Sequence, residues 1–101
     1  YARFLDTCAK SGIRVPILPG TRILKTQAQA ARMAAKFRVK VPQAMLRALP
    51  DADGPDALAR GLDLFLELVD RLKSYGAPGI HLFVIVDTLG ACTALKKLGG
   101  L

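Results

Sequence analysis

The sequence predicts an α/β protein, and one that is incomplete as an isolated chain. Two apolar runs of strand type carry the prediction: Ile13 to Leu18, which stops at Pro19-Gly20, and Gly79-Ile80-His81-Leu82-Phe83-Val84-Ile85. Each follows a helix-like segment across a Gly-containing turn. Unbroken apolar runs suit strands buried on both faces, as in parallel sheets. Everything between them reads as helix. Two parallel strands cannot cover both faces and protect both edges by themselves. The chain therefore reads as part of a larger α/β body.

The elements follow in order. Tyr1 to Lys10 is a helix with Phe4, Leu5, Cys8 and Ala9 on one face, and Ser11-Gly12 is its stop. The first strand comes next, then a loop from Thr21 to Lys25. Thr26 is the N-cap of a helix from Gln27 to Phe37, whose apolar stripe is Ala30, Met33, Ala34 and Phe37. Pro42 opens a short helix, Gln43 to Leu49, and Pro50 to Gly54 is an acidic turn. Pro55 begins a long helix to Tyr75. In it Leu58, Leu62, Phe65, Leu66, Val69 and Leu72 recur at helical spacing. Gly76 to Gly79 breaks the chain before the second strand. Asp87 or Thr88 then caps a last helix, Leu89 to Leu98, which Gly99-Gly100 ends. Strand and helix alternate as in βα units.

At 101 residues and 51% hydrophobic content the chain suits one domain with a core. No apolar run approaches the 18 or so residues of a membrane span. A chain beginning at Tyr1 rather than Met is expected to be processed, truncated or partial, and Tyr1 to Gly12 lacks the basic start and apolar core of a signal peptide. Charge is uneven: Thr7 to Pro50 holds nine Lys or Arg and no acid, whereas Asp51 to Leu101 holds five basic residues against seven acids. The nine are spread singly, without interleaved aromatics. Nucleic-acid binding is therefore not expected, and a solvated helical surface, or one facing an acidic neighbour, fits better.

Cys8 and Cys92 lie far apart with no metal-ligand spacing, so both read as small buried hydrophobes in a reducing compartment. His81, flanked by Ile80 and Leu82, reads as a hydrogen-bonded core histidine. No metal site is expected. In a parallel α/β body the chemistry sits at the C-terminal strand ends. The polar residues offered there are Thr21, Arg22, Asp87 and Thr88, with Gln29 on the following helix. They contain no nucleophile–base pair and no paired carboxylates, so no catalytic residue is assigned. Surface solvation explains each more readily than catalysis does.

The succession from Phe4 to Gly20, with Gly12-Ile13-x-Val15-Pro16-Ile17-Leu18-Pro19-Gly20 at its end, resembles the late part of the methylenetetrahydrofolate reductase family. That family has a "GI-x-x-PI-x-PG" strand and turn, a short helix, a "VP" with another helix, a long helix and a "G-x-HFYTLN" last strand. Val41-Pro42, the long helix containing Gly61, and Gly79 to Ile85 stand at the corresponding places. The resemblance covers essentially all of residues 1–101. It implies the C-terminal segment of a (β/α)8 TIM barrel, namely its last two βα units.

It also implies site residues. Gln29 stands where the family has a Gln that hydrogen-bonds the pterin of folate, and Met33 stands where a Phe packs against the bound ring. Ile85-Val86-Asp87 replaces Leu-Asn-Arg on the last strand, so Gln29, Met33 and Ile85 are the implied substrate-binding residues. Replacing Asn-Arg by Val-Asp inverts a charge at the ligand face. The family uses FAD, but its flavin-binding and acidic residues lie on earlier strands, so this segment alone is not expected to bind it.

Two functions follow. The first is the folate-side face of a flavin-dependent oxidoreductase of one-carbon metabolism. The second is a catalytically inactive reductase-like accessory subunit with a structural role in a larger assembly, for instance a mitochondrial one. The expected partners are the remainder of the barrel or other protein subunits. Either the cytoplasm or the mitochondrial matrix suits the cysteine usage.

Overall fold

A computed structural model describes residues 1–99. The elements are α1 (Ala2–Lys10), β1 (Gly20–Thr21), α2 (Gln27–Phe37), α3 (Gln43–Ala48), α4 (Pro55–Ser74), β2 (His81–Leu82) and α5 (Thr88–Lys97). Their order and type are those predicted. Of the Gly99-Gly100 stop, Gly99 has φ +77, the left-handed geometry of a helix end, while Gly100 lies outside the described residues.

β1 and β2 pair in parallel, Gly20 opposite His81 and Thr21 opposite Leu82. The His81 amide donates to the Pro19 carbonyl at 2.9 Å and the Phe83 amide to the Thr21 carbonyl at 2.9 Å. The Thr21 hydroxyl adds a bond to the His81 carbonyl at 3.0 Å.

Both strands are shorter than predicted. Pro16 and Pro19 lack the N–H that a ladder needs, so residues 13–18 form no strand and pairing begins only at the Pro19 carbonyl. The Tyr1 hydroxyl holds that stretch by donating to the Ile17 carbonyl at 2.9 Å. Burial on both faces is also not found: Ile13, Val15, Leu18, Phe83, Val84, Ile85 and Val86 are exposed. Among the described residues there is no third strand, and none covers them.

Three further expectations are corrected. His81 is exposed, not core, with its ring edge-on to Phe83 at 4.3 Å. Phe4 and Phe37, assigned to apolar stripes, are exposed. Cys8 is buried but Cys92 is exposed, and both are free thiols.

The core has two parts, and α4 belongs to both. Leu62, Phe65 and Val69 pack with Ala94 of α5, and Leu82 of β2 joins them with Ile23 and Ile80 from the segments beside the strands. On the other side Leu24, Ala30 and Leu49 cluster, with Met33, Met45 and Leu64 packed against them. Gly61 lies where the two meet. A Cβ there would collide with the Leu24 carbonyl oxygen and lie 3.3 Å from the Lys25 Cα. Only glycine lets α4 come so near the β1–α2 connection. The Gln27 amide, donating to the Pro50 carbonyl at 3.0 Å, and the Gln27 side chain, donating to the Leu49 carbonyl at 3.0 Å, close that corner.

The contact yields a direct test. Gly61→Ala should destabilise the protein by about 1–3 kcal/mol, the range for overpacking against a backbone that cannot recede. Equilibrium denaturation measures this, and an unchanged midpoint would show that α4 moves away freely.

Candidate functional site

A cleft of about 850 Å³ lies beyond the C-terminal ends of the two strands. Its walls are the β1–α2 and β2–α5 connections and one side of α2. The local sequence explains the walls. Thr26 caps α2, its hydroxyl accepting from the Gln29 amide at 3.1 Å. The Gln29 side chain turns back, and its Oε1 accepts from the Lys25 amide at 2.8 Å. Thr26-x-x-Gln29 is thus a close relative of the capping box, shifted by one residue on the return bond.

That bond fixes what Gln29 offers. With Oε1 taken by the main chain, the Nε2 group is the part left for a ligand, and it can only donate. A partner that presents acceptors, such as a ring nitrogen or a carbonyl, matches that group.

Lys25 sits at the junction. Its ammonium lies 3.7 Å from Asp53 Oδ1, in the α3–α4 turn, and 3.5 Å from Asp87 Oδ2, before α5. Asp87, not Thr88, is the N-cap of α5, and its Oδ1 accepts from the Gly90 amide at 2.8 Å. The bare Gly90 makes room: a Cβ there would stand 2.7 Å from Asp87 Oδ2. Three connections therefore meet on one ammonium. Both pairs are partly solvated, and each adds little stability by itself.

Gln29, Met33 and Ile85 all border this cleft. Gln29 and Met33 are half-buried on α2, one turn apart, while Ile85 is 62% exposed at the opposite edge. Arg22 and Asp87 border it too, but Thr21 is buried and turned to the strand pairing. Met33 and Ile85 also line a second, larger cleft of about 1120 Å³ between α2, α3 and α4. Among the described residues no cluster of three or more His, Cys, Asp or Glu could hold a metal. No helix described is long and apolar enough to cross a membrane.

Sequence reasoning assigned Lys25 to a loop and gave it no role. The Thr-x-x-Gln spacing was a readable signal for the back-bond that fixes Gln29. The convergence of Asp53 and Asp87 on Lys25 has no local signature, because it joins residues far apart in the chain.

A parallel strand pair, each strand followed by a helix, defines an α/β protein built of βα units, with a cleft at the C-terminal strand ends. Comparison with known proteins narrows this. The family profile described as Methylenetetrahydrofolate reductase matches residues 1–99, and the chain belongs to that family. It is 28% identical over 101 residues to methylenetetrahydrofolate reductase (NADH) 1 of Arabidopsis thaliana, covering 98% of this chain and 17% of that protein. It is 30% identical over 102 residues to a probable methylenetetrahydrofolate reductase (NADPH) of Caenorhabditis elegans, covering 98% of this chain and 15% of that protein. With 5,10-methylenetetrahydrofolate reductase of Escherichia coli (strain K12) it shares 30% identity over 88 residues, 84% of this chain and 29% of that protein. The chain thus spans less than a third of the length of each.

Substituting Asp87 separates its two roles. Asp87→Ala removes the cap and one partner of Lys25 and should cost about 1 kcal/mol, the usual worth of a side-chain N-cap. Asp87→Asn keeps the cap acceptor and should cost at most a few tenths of a kcal/mol. Denaturant titration of both variants checks this, and equal losses would mean that the charge, not the cap, matters.

Proposed function

We propose that residues 1–101 form the C-terminal segment of a methylenetetrahydrofolate reductase barrel of the (β/α)8 type, with β1 and β2 as its last two strands. The segment supplies the folate-side face of a flavin-dependent oxidoreductase. The observation that carries the reading is the convergence of Gln29, Met33 and Ile85 on one cleft at the strand ends, in a chain of this family. The uncovered apolar residues flanking the two strands support it as well, because neighbouring strands of a barrel would cover Val15, Leu18, Phe83, Ile85 and Val86.

In this reading Gln29 is the recognition residue. Its Nε2 group donates to acceptors on the pterin edge, and the Lys25 amide holds it in that orientation. Met33 lies against the ring face as a soft, polarizable contact. Ile85 closes the opposite side. No residue of this chain moves a proton in the proposed reaction; the segment binds and orients.

In this proposal the helix N-termini of the segment do not hold the flavin dinucleotide of the family. Its phosphates would favour a free helix N-terminus. The two N-termini at these strand ends are occupied by their own side chains, Thr26 with Gln29 on α2 and the Asp87 carboxylate on α5. FAD therefore belongs to the rest of the barrel in this proposal, and no step is derived through it.

A second reading has one observation in its favour. At the position where the resemblance implies an Arg, Asp87 is bound to the Gly90 amide and to Lys25, so it serves the fold instead of a ligand. An accessory subunit without catalysis would keep such a residue.

Ligand binding decides between the two. The protein carrying this chain should bind 5-methyltetrahydrofolate, and Gln29→Ala should weaken binding about tenfold, the worth of one or two hydrogen bonds. Met33→Phe should tighten it by roughly two- to tenfold through stacking on the ring. Absence of folate binding in the unsubstituted protein would refute the enzymatic reading and leave the structural one.

A further inference from the structure

Among the described residues only two ion pairs lie within 4.0 Å, and one side chain, Lys25, makes both. The chain has fifteen Lys or Arg and eight Asp or Glu, so this convergence on a single ammonium is a property of the place and not of the composition.

Stability does not account for it. The Lys25 side chain is 25% exposed and its partners Asp87 and Asp53 are 33% and 70% exposed. At 3.5 and 3.7 Å both contacts are charge attraction across partly wetted space, which adds little to folding. Their effect is on placement. The Gln27 bonds to the Leu49 and Pro50 carbonyls tie the β1–α2 connection to the end of α3. Beyond the strand pairing, among the described residues, only the Lys25–Asp87 contact ties that connection by polar groups to the β2–α5 side. Asp87 is a fixed anchor, because its other oxygen accepts from the Gly90 amide at 2.8 Å. The Lys25 main chain is held between α4, where Gly61 leaves it room, and an ammonium moored to two other connections.

The consequence falls on Gln29. Its Oε1 accepts from the Lys25 amide at 2.8 Å, and its own main-chain amide donates to the Thr26 hydroxyl at 3.1 Å. The plane of the Gln29 carboxamide therefore follows the Lys25 amide. Released from that bond, a glutamine turns about its side-chain torsions and offers either oxygen or nitrogen to the cleft. Held to it, Gln29 offers the donor alone.

We propose that Lys25 is a positioning residue: its paired ammonium fixes the main-chain amide from which Gln29 takes its orientation, and so favours ligands that present an acceptor there. The proposal deepens the folate reading and rests on it for the ligand, not for the geometry. A compact charge on a four-carbon stem suits the task, since one ammonium can face two carboxylates from different connections.

Hydrogen exchange and folate binding in the intact protein test it. Without ligand, the residue-25 amide of Lys25→Met should exchange about threefold or more faster, relative to its intrinsic rate, than in the unsubstituted protein. Lys25→Arg keeps the charge and the reach and should retain the protection. The double variant Asp53→Asn/Asp87→Asn removes both carboxylate charges, leaves an acceptor for each cap, and should exchange like Lys25→Met. It also decides the matter if Lys25→Met melts early. Affinity for 5-methyltetrahydrofolate should fall about three- to fivefold in Lys25→Met, within the worth of one hydrogen bond. In a Gln29→Ala background the same substitution should cost less than about twofold, because its effect runs through Gln29. A merely structural loss would weaken binding equally in both backgrounds. Equal losses, unchanged exchange in Lys25→Met, or faster exchange with unchanged affinity would overturn the proposal. If the unsubstituted protein binds no folate, the folate reading fails, and the exchange rates still decide whether Lys25 positions Gln29.

Discussion

The near contact of Gly61 with the Leu24 carbonyl sets the distance between the long helix α4 and the strand ends. Among the described helices α4 alone contributes to both core clusters, so its height above the sheet decides whether both can close. With any larger residue at position 61, the β1–α2 connection would have to move outward. Lys25 would move with it, and Lys25 carries both the amide that holds Gln29 and the ammonium that gathers Asp53 and Asp87. The candidate site thus inherits its geometry from a packing constraint on the far side of the loop.

The helices were legible in the sequence because each carries its own local signals. Thr26 and Pro55 mark starts, and the stripe Leu62, Phe65, Val69, Leu72 is read correctly as buried. The ends of the strands were not legible. Apolar content alone made residues 13–18 look like a strand, yet two prolines withhold the donors on which pairing depends. Burial of the strand residues failed for a different reason. A run such as Gly79 to Ile85 states what the surface needs, while the chain at hand does not supply the layers that would meet that need. His81 and Phe37 are exposed by the same lack of neighbours.

The candidate site was legible in part. Gln29, Met33 and Ile85 were named from family resemblance, and they do border one cleft. Their chemistry came only with the geometry: the Gln29 amide is oriented by a main-chain donor, and Asp87 is a cap instead of a ligand contact. The basic character of Thr7 to Pro50 was visible as a count of charges. Which of those charges are neutralised and which stand open toward the cleft is a three-dimensional property. Lys25 is gathered in by carboxylates from the acidic half of the chain, whereas Arg32 and Lys36 are not.

A radius of gyration of 14.5 Å exceeds the ~13 Å of a compact domain of this length, and the two-stranded sheet leaves both its edges open. The central claim is that more barrel covers those edges. Native mass spectrometry of the assembly that holds this chain, with denatured masses alongside, tests it most directly. The spectra should show roughly 150 further residues of barrel, on the same polypeptide or a tight partner, and a mass matching flavin. A free-standing 101-residue monomer that melts cooperatively would contradict it.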